Sequence, residues 1–148
     1  MINHGIHKGA VLFIAFVMYF NGAPAVFADD SQVSSFERQV LSSQNAGDTK
    51  GATVIARKFV DYAERRFGQT HKHTVAAWHV LGQAYFSDGR YREAEGAYIK
   101  ALTVEERIVG PNHKDLVPHL EALITVYYSL VRFDQAAKMK QRVDKIRD

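Results

Sequence analysis

The chain has 148 residues, is 47% apolar and contains no cysteine, which fits one globular domain and excludes a disulfide framework, thiol chemistry and cysteine-based zinc sites. Its 19 basic and 16 acidic residues are interspersed rather than blocked. The excess of positive charge therefore describes a solvated surface and argues against a nucleic-acid partner.

Positions 1–28 contain one firm positive charge, Lys8, and no acid. Ala10 to Phe20 is an apolar and aromatic run, broken by Asn21, Gly22 and Pro24 and followed by Val26-Phe27-Ala28. A basic start, a short greasy centre and a small residue at the cut make up a signal peptide, here with cleavage expected near Ala28. Ala23-Pro24-Ala25 offers a second cut. The run is well short of the roughly 20 apolar residues that span a bilayer, so no stable membrane insertion is expected after cleavage, and the mature form is expected in a periplasm or secreted. Without this segment the chain keeps 18 basic and 16 acidic side chains, a net of +2.

Sliding the remainder along itself reveals a 42-residue period. Gly68-Gln69-Thr70-His71 returns as Gly110-Pro111-Asn112-His113, Trp78 falls on Leu120, Leu81 on Leu123, Tyr85 on Tyr127 and Ala94 on Ala136. Within a period the apolar spacing is helical: Val75, Trp78, Leu81 and Tyr85 form one stripe, and Tyr91, Ala94, Tyr98, Ala101 and Val104 another. Asp88-Gly89 separates them, glycine being the residue that ends a helix in the left-handed region. The spacing predicts helices near 32–44, 51–67, 74–87, 91–108, 115–129 and 133–146. Residues 29–50 read as an N-terminal helix and linker, and 51–148 as the repeat domain. The aromatics Trp78, Tyr85, Tyr91, Tyr98 and Tyr127 are expected in the core.

Trp78, Leu81, Gly82, Tyr85, Ala94, Tyr98 and Ala101, with the Gly89-Arg90-Tyr91-x-Glu93-Ala94 turn, resemble the signature of the tetratricopeptide-repeat (TPR) family. The longer period closed by Gly-x-x-His is similar to the kinesin-light-chain type. The resemblance implies an all-α solenoid of about two and a half to three helix pairs, with a concave surface that holds a protein or peptide partner. Transferred position by position, that groove contains His79, Gln83 and Phe86 from one repeat and Glu121, Thr125 and Tyr128 from the next. Three departures stand out. Ile124 replaces Gly82, so a wider helix contact or none is expected there. Val131 stands where Gly89 stands, and a β-branched residue tolerates positive φ poorly, so another turn geometry is expected. Lys140 replaces Tyr98, and Lys138, Arg142, Lys145 and Arg147 give the last helix the polar face of a terminal element.

No catalytic motif is present: no phosphate-cradling glycine loop, no Gly-x-Ser-x-Gly elbow, no His-Glu-x-x-His helix. No enzymatic activity and no cofactor are expected. His71, His73 and His79 are the densest histidine cluster, yet His71 and His113 occupy matching repeat positions and read as turn residues rather than as metal ligands. Three readings of function remain: a partner-binding scaffold, an assembly subunit that self-associates through its repeat ends and, least favoured, a histidine-based metal-binding protein.

Overall fold

The computed structural model describes residues 24–148. The greater part of the expected signal segment lies outside them. By backbone contacts the described chain divides after Ser34, and residues 35–148 form the second, compact unit. The first helix, α1 (Pro24–Asn45), begins before that division and ends in the second unit. In the second unit follow α2 (Thr49–Phe67), α3 (Lys72–Ser87), α4 (Tyr91–Val109), a 3-10 turn (Lys114–Leu116), α5 (Val117–Ser129) and α6 (Phe133–Arg147). No strand occurs among the described residues, and none of the helices there is long and apolar enough to cross a membrane.

The helices come in three hairpins, α1–α2, α3–α4 and α5–α6, and one turn design joins each pair. In the middle hairpin Asp88 N–H donates to Ala84 O at 3.1 Å, Gly89 N–H to Phe86 O at 3.0 Å and Arg90 N–H to Tyr85 O at 2.9 Å. The same three bonds recur one period earlier around Gly47 and one period later around Val131. The residue at the centre has positive φ each time: +75° at Gly47, +72° at Gly89 and +58° at Val131. The last value corrects the sequence expectation. Val131 does not change the turn; it is forced into the conformation that glycine takes in its two counterparts. The three hydrogen bonds close the carbonyl ends of one helix and start the next, and they outweigh the steric cost of one β-branched residue.

Between hairpins, Gly68 and Gly110 close α2 and α4 at φ +87° and +92°, each donating its N–H to the carbonyl four residues back. His71 and His113 then start the next helical segment. The Nδ1 of His71 accepts from His73 N–H at 3.2 Å, and that of His113 from Asp115 N–H at 3.3 Å. Both histidines thus satisfy backbone donors that a helix start leaves open.

Packing follows chain order: α2 lies on α3, α3 on α4, α4 on α5 and α5 on α6. Phe59, Leu116, Leu120, Leu123 and Val126 are fully buried, and Phe36 of α1 stacks on Phe59 with ring centroids 5.3 Å apart. Ala94 and Ala101 are without exposure, and Leu81, Tyr98 and Tyr127 are buried, as the repeat stripes require. Tyr85 and Tyr91, expected in the core, are half-buried at its margin. Gly82 is buried against Tyr98. Ile124, by contrast, packs half-buried against the last core cluster, so the helix contact expected to be wide or absent is made through the larger side chain. Two polar ties join the first two hairpin turns: Thr49 Oγ1 donates to Asp88 Oδ1 at 2.6 Å, and Gln44 Nε2 to Ser87 Oγ at 3.1 Å.

Candidate functional site: the face of α3 and α5

The repeat plan places the first helices of successive hairpins side by side, and α3 and α5 carry all six residues expected to meet a partner. Gln83, Glu121, Thr125 and Tyr128 are exposed. Thr125 Oγ1 donates to the Glu121 carbonyl at 3.1 Å, and Arg147 Nη2 of α6 donates to Glu121 Oε1 at 2.7 Å. Tyr128 keeps 53% of its surface open, as does Phe133 beside it at 59%; their ring centroids lie 6.0 Å apart.

Two of the six behave differently. Phe86 is half-buried, its ring 5.2 Å from that of Tyr91 and packed against the core that follows. It is equivalent to Tyr128 in sequence but not in exposure, because a further hairpin covers it. His79 does not point freely from the groove. Its ring is half-buried, edge-on to Tyr98 at 5.1 Å, and its Nδ1 lies 2.9 Å from Nδ1 of His119 on α5.

A cleft of ≈ 410 Å³ opens beside this pair. Its apolar walls are Val75, Ala76, Val80 and Pro118, and its polar groups are Glu37, Lys72, His79, Glu105, Asp115 and His119. Three carboxylates against one lysine give it an acidic lining. Burial, and Asp115 nearby, hold the Glu105 carboxyl above the usual carboxylate range, with His113 pulling the other way. Of the six expected partner residues only His79 lines this cleft. The others lie along the same helix face toward its carboxyl end.

His119 is the residue that the sequence pattern hid. It and His79 are 40 residues apart, short of a full period, so no repeat comparison pairs them. The available signal was a substitution: one period earlier, the matching position is Ala77, fully buried. A histidine at a site built for alanine must find a partner. Desolvation lowers the His119 imidazole to about 4, with the neighbouring His79 adding to the effect, and burial lowers His79 as well.

The three histidines that lie close in sequence are only partly together in space. His71 and His73 lie 4.9 Å apart between ring centroids and against Phe67, at 4.9 and 4.7 Å, while His79 is engaged by His119. Among the described residues no group of three His, Asp or Glu side chains is arranged to hold a metal ion.

Trp78 also departs from expectation. It is half-buried rather than core. Its indole N–H donates to Glu64 Oε1 at 3.2 Å, and Lys100 Nζ lies 5.7 Å from its ring. Trp78 lines two clefts, of ≈ 490 and ≈ 320 Å³. The reason lies across from it on α4, where Gly96 contributes no side chain and Ala97 only a methyl group. In the next repeat the equivalent Leu120 is fully buried.

Three stacked helix hairpins with one turn geometry and a 42-residue period define an α-hairpin solenoid. A tetratricopeptide-repeat family model matches residues 62–147, and the chain belongs to that family. Solved structures agree on the fold. A putative kinesin light chain with nearly identical TPR-like repeats from Podosopora anserina is 18% identical, with a TM-score of 0.71 over 78% of this chain and 55% of that one. BtubC (BKLC) from P. vanneervenii is 18% identical, with a TM-score of 0.70 over 78% of this chain and 46% of that one. The chain thus spans about half the length of the solved structures it matches. No match was found among curated proteins. TPR domains are in general protein–protein interaction scaffolds and typically non-catalytic.

Proposed function

We propose that this protein is an exported, non-catalytic interaction module that holds a segment of a partner protein along the face of α3 and α5. The observation that carries the reading is the continuity of that face. The acidic cleft at the start of the helices leads to exposed Gln83, Thr125 and Tyr128 at their ends. An extended segment laid along it would find apolar walls, amide and hydroxyl groups for its backbone, a flat aromatic anchor and carboxylates for a basic side chain. The protein would supply placement and no bond-making step. Export rests on the signal-like pattern of residues 1–28.

The test is capture by the mature chain followed by binding isotherms with Tyr128→Ala and Val80→Asp. Both should weaken the captured partner at least tenfold while the far-ultraviolet spectrum stays helical. Equal affinities for wild type and both variants would refute the groove. Export is tested separately by the mass of the secreted or periplasmic form, which should begin near Asp29.

A second reading, self-assembly through the repeat ends, is favoured by one observation. Tyr128, Val131 and Phe133 are exposed together at the last turn, where the equivalent Phe86 and Tyr91 are partly covered. Light scattering separates the two: the groove reading is satisfied by a monomer, and assembly is not.

A further inference from the structure

His79 and His119 come from the first helices of two consecutive hairpins, and their Nδ1 atoms are 2.9 Å apart. Two imidazole nitrogens at that distance share a single proton, one donating and the other accepting. Gln83 Nε2 lies 3.4 Å from His79 Nε2. An amide N–H directed there leaves the proton on His79 Nδ1 and the lone pair on His119 Nδ1. Both rings are thereby held neutral. His119 is only 7% exposed, so water does not replace a lost partner.

We propose that the His79–His119 pair is a proton-operated latch: acidification breaks it, parts α3 from α5 and opens the cleft between them. A proton added at His79 Nε2 leaves the Nδ1 pair bonded, but one added at His119 Nδ1, the nitrogen of that ring that accepts, would place two Nδ1–H donors face to face with no acceptor between them and set a positive charge in a buried seam. The other titratable groups facing the pair do not rescue it in place. From α4, Tyr98 presents its ring, and its hydroxyl is pushed up to about 12 by burial and stays neutral. Glu37 of α1, Glu105 of α4 and Asp115 of the 3-10 turn line the cleft, as does Lys72 of α3. Among the described residues none of these carboxylates hydrogen-bonds to either imidazole. A protonated ring gains one only by turning out of the seam, so the open arrangement is the one that stabilises the cation.

The sign follows from the lowered imidazoles. A group that binds its proton less well when closed than when open favours the closed state above its ordinary value and loses that advantage as pH falls. With an ordinary histidine at 6.5 and His119 at about 4 when closed, a change from pH 7.5 to 5.0 raises the ratio of open to closed seam on the order of 30-fold from His119 alone. Neither this device nor its test needs a partner to be bound, so it stands or falls apart from the groove reading.

Hydrogen-exchange mass spectrometry of the full chain tests the latch, at pH 7.5 and 5.0 with intrinsic exchange rates divided out. Peptides from α3 and α5 should lose protection on the order of 30-fold, and His79→Gln/His119→Gln, which keeps hydrogen-bonding groups but cannot titrate, should show no such loss. Equal losses in wild type and the double variant would overturn the proposal. Should the double variant not fold, a nuclear magnetic resonance titration of the wild-type imidazoles decides alone. Two rings titrating well below the other histidines support the latch, and ordinary values for both refute it.

Discussion

Gly82 and Tyr98 compete for one volume. A Cβ placed on Gly82 would lie 2.7 Å from two carbons of the Tyr98 ring, closer than any real contact. The buried ring therefore fits on α4 because α3 has no side chain opposite it, and its far edge then reaches His79. The following repeat solves the same crossing differently, with Ile124 and Lys140 at the matching positions. Lys140 is exposed and Ile124 half-buried, so no buried ring there requires a glycine opposite it.

Gly82→Ala should therefore destabilise the fold by about 1–3 kcal/mol, the usual cost of overpacking, although alanine is the better helix former by about 1 kcal/mol. Denaturant unfolding checks it. Adding Tyr98→Leu should recover part of the loss, giving a coupling of opposite sign to the first penalty. A more stable Gly82→Ala protein would mean that the ring moves aside freely.

Val131 at φ +58° is the strained member of three equivalent turns. A left-handed residue with a Cβ costs roughly 1–2 kcal/mol, and glycine gives back about 0.5–1 kcal/mol through its freer unfolded chain. Val131 is 70% exposed, so little packing is lost with it. Val131→Gly should raise stability by about 0.5–1 kcal/mol, and Gly89→Val should lower it by roughly 1–2 kcal/mol. If both substitutions destabilised, the valine side chain would have a packing role that its exposure hides.

Much of the fold is legible in the sequence because repeats betray themselves twice. Gly68 and Gly110 mark the boundaries, and the stripes through Leu81, Tyr98 and Ala101 mark the buried faces. Gly47 stands in register with Gly89, yet the surroundings of residues 29–50 carry little helical pattern, so the first hairpin is visible only by position. Sequence misjudges the Val131 turn because it weighs one residue's preference, whereas the structure adds three backbone hydrogen bonds around it. The His79–His119 pair is out of reach for another reason. The offset between them arises from how α3 and α5 lie against each other, and a strict 42-residue comparison steps past it. Trp78 looks like core because its stripe is apolar; its exposure is decided by Gly96 on a different helix.

That last point sets an order among large-to-small substitutions. Phe59 is fully buried and stacked on Phe36, so Phe59→Ala should cost about 3–5 kcal/mol. Trp78→Ala empties a site that already borders open clefts, where water can follow. It should cost less, about 2–3 kcal/mol, including the lost hydrogen bond to Glu64. Thermal unfolding of the two variants side by side makes the comparison, and a larger loss at Trp78 would return that residue to the core.

Arg132 ties the last two hairpins together. Its Nη1 donates to both carboxylate oxygens of Glu95, at 3.1 and 3.0 Å. Glu95 is the better shielded partner, at 17% side-chain exposure against 36% for the arginine, so solvent screens the pair only in part. The equivalent Arg90 spends its charge within its own hairpin, on Glu93 at 2.9 Å and over the Tyr85 ring. Of these two matching arginines, then, only Arg132 couples one repeat to the next, where Arg142 of α6 adds a second tie to Glu106 of α4. A double-mutant cycle with Arg132→Ala and Glu95→Ala should give a coupling of about 1 kcal/mol, at the upper end of partly exposed ion pairs. Raising the salt from about 0.1 to 1 M shortens the screening length from roughly 10 to 3 Å and should reduce that coupling without abolishing it. A coupling of zero at both salt concentrations would show that this pair adds nothing to the apolar contact between the hairpins.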